Sequence, residues 1–87
     1  MISVVYTPGF FSLYNKLPEP LQKEVEEKIE LFKKDPRHPF LKTHKLKGRL
    51  RGRYSFWVNY RTRVLFVYDS ASVVALLAVG DHDVYKI

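Results

Sequence analysis

Eighty-seven residues make one domain (1–87) with a single core and no room for a second, and 46% apolar with 15% aromatic content excludes a chain too polar to fold. The absence of cysteine excludes a disulfide framework and a cysteine zinc site, and three histidines without a helical ligand pair point to no metal and no cofactor. The net charge of +6 is unevenly spread: no acid stands between Asp35 and Asp69, while Arg37, Lys42, Lys45, Lys47, Arg49, Arg51, Arg53, Arg61 and Arg63 all do, which is the electrostatic footprint of an anionic partner, most often nucleic acid.

The opening MISVVYTPGF has neither a charged leader region nor a long apolar segment, and no run approaches the ~20 apolar residues of a membrane span. A soluble, cytoplasmic protein without membrane contact is expected. Within that opening, residues 2–6 read as a short strand closed by Thr7, Pro8 and Gly9. FFSLYNKL follows as a short helical segment that stops before Pro18. Residues 18–36 form the clearest helix: Pro20 suits its first turn, Glu19 and Glu24 favour its positive end, and Lys33 and Lys34 its negative end. Leu21, Val25, Ile29 and Phe32 make one apolar stripe and are core.

From residue 45 the period changes. Residues 45–50 are expected to form a strand leading into Gly52, and YSFWVNY alternates, with Tyr54, Phe56, Val58 and Tyr60 on one face and Ser55, Trp57 and Asn59 on the other. VLFVYD and VVALLAV complete a meander around a turn at residues 69–72, the last strand being apolar enough to be central. The fold class that follows is α+β, a single small domain of order β-α-α-β-β-β-β, with a twisted, mostly antiparallel sheet and two helices packed on one face. The other face is then open. Extending the alternation back from Trp57 sets Arg53 and Arg51 beside it, giving a basic, aromatic surface able to hold a phosphate backbone and stack bases.

The order of these elements, with H-K-L-K-G at residues 44–48, R-V-L-F-V-Y at 63–68 and the ending G-D-H-D-V-Y at 80–85, resembles the RelE/ParE superfamily of toxins from type II toxin–antitoxin systems, over essentially the whole chain. Among its branches the chain is most similar to the YafQ-like and RelE-like messenger-RNA endonucleases. The resemblance implies ribosome-dependent cleavage of messenger RNA by attack of a ribose 2′-hydroxyl on the adjacent phosphate, without metal, and a cognate antitoxin as partner. Carried over residue by residue, it implies Arg63 as phosphate clamp, His82 and Tyr85 as the terminal acid–base and aromatic positions, and His44 as a further catalytic position. Lys45, Lys47, Arg49, Arg51, Arg53, Arg61 and Trp57 complete the RNA-binding surface.

The chemistry needs a base for the 2′-hydroxyl, an acid for the leaving 5′-oxygen, and cations where charge develops. Histidine titrates near neutrality, and the neighbouring Asp81 and Asp83 would favour the imidazolium of His82, which suits an acid. Tyrosine, with a reference pKa of about 10, serves as a base only where cations lower it, and otherwise stacks. Arg63 opens a strand beside other cations with no obvious structural partner. RelE proper has an arginine-dominated site, so His82 in place of an arginine shifts weight toward acid–base catalysis. The alternative class is a binder without catalysis, either a ParE-like gyrase inhibitor or a degenerate toxin that only binds its antitoxin. His82 with Tyr85 speaks against the ParE-like branch.

Overall fold

The computed structural model describes residues 1–86. Strand β1 (Ser3–Tyr6) leads into helix α1 (Pro8–Tyr14). Thr7 sets the corner between them: its hydroxyl oxygen accepts from the Phe10 N–H at 3.2 Å, capping α1, and the hydroxyl donates to the Leu76 carbonyl at 2.7 Å. Helix α2 (Glu19–Lys34) follows and ends before Pro36. The chain then forms β2 (His44–Lys45), β3 (Tyr54–Trp57), β4 (Arg63–Tyr68) and β5 (Val73–Gly80), and closes in a 3₁₀ turn over His82–Lys86. The five strands lie in the order β1-β5-β4-β3-β2, with β1 parallel to β5 and the other pairs antiparallel. This is the α+β architecture expected from the sequence, and the apolar last strand is internal, between β1 and β4.

Period-two alternation divides the sheet into two faces. Phe56, Val64, Phe66, Val74, Leu76 and Val79 point to the helices and join Phe10, Val25, Ile29 and Phe32 in the main core. Phe32 is the anchor of α2: its ring stacks on Phe56 with centroids 4.7 Å apart and meets Phe66 edge-on at 4.9 Å. Tyr14 ties the two helices together, donating its phenol to the Glu26 carboxylate.

Three local expectations are corrected. The strand expected over residues 45–50 stops at Lys45, because Gly48 (φ 69°) and Gly52 (φ 90°) take the left-handed conformation and turn the chain through a 3₁₀ segment, Gly48–Leu50. Arg51 and Arg53 consequently fall in this turn and do not continue the alternation of β3. Strand β3 itself ends at Trp57, not Tyr60, because the Asn59 side-chain oxygen accepts from the N–H groups of Arg61 and Thr62, both at 2.9 Å, and folds residues 58–62 into a hairpin loop. Finally, the face away from the helices is partly covered. The terminal 3₁₀ turn folds back over it and packs Val84, 3% exposed, with Leu65 and Ala78. Gly80 permits the approach, since a Cβ there would stand 3.2 Å from Val84 Cγ1.

Two outcomes follow from this packing. Phe32→Ala removes the ring that α2 inserts between β3 and β4, and urea denaturation should record a loss of about 3–5 kcal/mol. The hydrogen bond to Glu26, with burial and the carboxylate charge adding to it, pushes the Tyr14 phenol up to about 12 from 10.0. A raised folded-state value means the contribution is complete below pH 10 and disappears as pH rises toward 12. Absorbance titration should show one tyrosine ionising late in the wild type, and that late step should be missing in Tyr14→Phe.

Candidate functional site

Because Phe56 is driven into the core, its neighbours Ser55 and Trp57 face the other way. Antiparallel pairing sets His44 opposite Ser55 and Arg63 opposite Trp57. The outer face of β3 therefore gathers groups from residues 42 to 85.

Arg63 is only 7% exposed. Its Nη1 donates to the carbonyls of Asn59 at 2.9 Å, Tyr60 at 3.0 Å and Thr62 at 3.3 Å, and its guanidinium carbon lies 3.9 Å from the centre of the Trp57 ring. The expectation that this arginine lacks a structural partner is therefore wrong: it staples the β3–β4 hairpin loop. Carbonyl dipoles and a π-face compensate the buried charge without neutralising it. Lys42 adds a second cation over the same indole, its Nζ 5.2 Å from the ring centre.

Lys42 also fixes His44. It adopts a left-handed conformation, φ 47°, and its carbonyl stands 2.9 Å from His44 Nδ1. A carbonyl can only accept, so Nδ1 carries a proton, and in the neutral ring Nε2 bears the lone pair. The Ser55 hydroxyl lies 3.5 Å from that Nε2 and 3.1 Å from the Tyr85 hydroxyl. The three side chains form one line: Tyr85 donates to Ser55, and Ser55 donates to His44. When His44 takes up a proton the sense of both bonds reverses. Such a chain can accept a proton at His44 and pass reorganisation to Tyr85 without any heavy atom moving far.

His82 is exposed, its ring centroid 6.2 Å from that of Tyr85. Beside it is a shallow pocket of about 270 Å³ lined by Tyr60, Arg61, Asp81, His82 and Asp83. Contacts link His44 to Tyr85 through Ser55, Tyr85 to His82, and Arg63 to Trp57, while Arg61 lines the pocket beside His82. The other cations divide. Lys47, Arg49 and Arg51 are exposed and Arg53 half-buried in the turn after β2. Lys45 pairs with Tyr54, and so lies on the helix side of the sheet edge. Sequence reasoning missed Ser55 and Lys42. The signal for Ser55 was its place as a polar residue in an apolar strand, in alternation with Trp57; none existed for the Lys42 carbonyl, which depends on a backbone conformation. Among the described residues no group of three or more His, Asp or Glu side chains could hold a metal ion, and no helix is long and apolar enough to cross a membrane.

No protein-family model and no curated protein matches the sequence. Solved structures do match in fold, among them toxins and toxin–antitoxin complexes. A chain of the RelBE2 toxin–antitoxin complex from Mycobacterium tuberculosis is 22% identical, with 93% of this chain and 98% of that chain covered and a TM-score of 0.78. The YoeB/ParE toxin from Agrobacterium tumefaciens is 18% identical, covering 93% and 99%, with a TM-score of 0.75. YafQ from E. coli is 11% identical, covering 98% of each chain, with a TM-score of 0.78. The chain shares the fold of these solved structures over 93–98% of its length.

Arg63→Lys tests the staple. An ammonium cannot bond three carbonyls and stack on an indole at once, so the variant should lose about 1–2 kcal/mol in urea denaturation, and the fluorescence of Trp57, the single tryptophan, should shift in the folded state.

Proposed function

We propose that this protein is the toxin of a toxin–antitoxin system and acts as an endoribonuclease on messenger RNA at the ribosome. The observation that carries the reading is the Tyr85–Ser55–His44 chain, which ends in an imidazole lone pair on a face whose cations have no acid beside them in sequence. The fold shared with YoeB, RelBE2 and YafQ supports the toxin class.

In this reading the ribose 2′-hydroxyl displaces the Ser55 hydroxyl from His44 Nε2, which takes its proton as the 2′-oxygen attacks the adjacent phosphorus. The P–O5′ bond breaks, a 2′,3′-cyclic phosphate forms, and His82 protonates the departing 5′-oxygen. Arg63 and Lys42, held beside Trp57, stabilise the charge that gathers on the phosphoryl oxygens. Ser55 and Tyr85 orient His44 and follow its change of protonation. Trp57 has one face occupied by the Arg63 guanidinium, so its part is to hold the clamp, and base stacking falls to Tyr85 or Tyr60. The partner that restrains such an enzyme is a cognate antitoxin; RelBE2 and the YoeB–YefM complex from Staphylococcus aureus are toxin–antitoxin assemblies on this fold.

Translation of a defined message in vitro, with new RNA ends mapped by primer extension, tests the reading. Wild-type protein should cut only when ribosomes are present. His44→Ala and His82→Ala should each lower the single-turnover rate about 10²–10⁴-fold, and Ser55→Ala less. If the wild type makes no cuts although folded, the ribonuclease reading is lost, and inhibition of DNA supercoiling becomes the activity to assay.

A further inference from the structure

The cations that do not join the site lead to a second one. On the helix side of the sheet edge lies a cleft of about 480 Å³ lined by Arg37, Thr43, His44, Lys45, Tyr54 and Tyr68. Its size is that of a small-molecule site, and its lining holds two permanent cations and two phenol rings but no carboxylate. Its walls are fixed. Thr43 donates to the Pro36 carbonyl at 2.6 Å, tying the loop after α2 to the edge strand. The Tyr54 ring stacks on Phe66 at 5.5 Å and takes the Tyr68 ring edge-on at 5.0 Å, while Tyr68 itself stays 36% exposed.

The relation to the catalytic face is set by alternation. His44 pairs with Ser55 and Lys45 with Tyr54, so consecutive residues of a two-residue strand face opposite sides of the sheet. Strand β2 is the outermost strand, and a chain crossing its edge passes from one surface to the other. A polyanion that also carries flat rings satisfies both halves of the lining, whereas an acidic peptide would answer the cations and leave the tyrosines without a partner.

We propose that this cleft is a second nucleotide subsite for the substrate RNA. A phosphodiester sits between Arg37 and Lys45, and its base lies against Tyr68, with His44 also bordering the cleft. The inference rests on the ribonuclease reading for the identity of the RNA as substrate, but its own evidence is the cleft.

Fluorescence anisotropy of a short 2′-O-methyl RNA, whose attacking hydroxyls are blocked, measures binding without cleavage. The full chain is titrated at several salt concentrations, and each variant's fold is checked by circular dichroism. Arg37→Ala/Lys45→Ala should bind at least about tenfold more weakly than the charge-matched control Lys23→Ala/Lys28→Ala, and its slope of log K against log salt should be shallower by about 0.7, for one lost phosphate contact. Tyr68→Ala should cost about tenfold and Tyr68→Phe nearly nothing, since stacking needs the ring alone. Affinity equal to that of the control pair, or to wild type for Tyr68→Ala, overturns the subsite. So does loss of poly-glutamate binding with RNA binding intact, which would assign the cleft to an acidic protein. The two readings fail separately. If the cleft variants bind like wild type while His44→Ala still abolishes cleavage, only the subsite falls. If wild type binds through the cleft and cuts nothing, only the ribonuclease falls.

Discussion

The geometry of the outer face depends on one buried ring. Phe56 is held between Phe32 of α2 and Phe66 of β4, and with it the register of β3. Side chains on a strand alternate, so a slip of one residue would carry Ser55 and Trp57 into the core and bring Phe56 to the surface. His44 and Arg63 pair with those two residues. A contact made wholly on the apolar side of the sheet thereby aligns the polar groups on the other.

The second constraint is the lack of acids across residues 36–68. In most proteins a buried arginine would find a carboxylate, and the pair would cancel. Here Arg63 is satisfied by three carbonyls of its own hairpin loop and by the indole of Trp57. Dipoles and π-electrons offset the cost of burial, but they do not remove the positive charge. His44 follows the same rule, oriented by the Lys42 carbonyl. Arg63 and Lys42 thus keep their positive charge beside Trp57.

Much of this was legible in the residues. The stripe Leu21, Val25, Ile29 and Phe32 announced α2 and its buried face, and the period-two pattern from Tyr54 separated Phe56 from Ser55 and Trp57. What misled were strand ends. Strand propensity around Leu46 pointed to a continuous strand, yet two glycines with positive φ turned the chain at Gly48 and Gly52. Asn59 closed the hairpin early through its side chain. Both are backbone events governed by one or two residues, whereas periodicity averages over many.

The sequence by itself determined the order of helices and strands, the buried stripe of α2, the two faces of β3, and the concentration of positive charge in one segment. Composition and hydrophobic period are local properties, and burial enforces them. Only the tertiary structure decided which of the polar groups meet. That His44, Ser55 and Tyr85 form one hydrogen-bonded line, that Arg63 is spent partly on its own loop, and that Lys45 faces away from its neighbour His44 all follow from pairing between residues up to 30 positions apart. Contacts across such separations are fixed by register and by the return of the chain end over the sheet, and no periodicity within the segments encodes either.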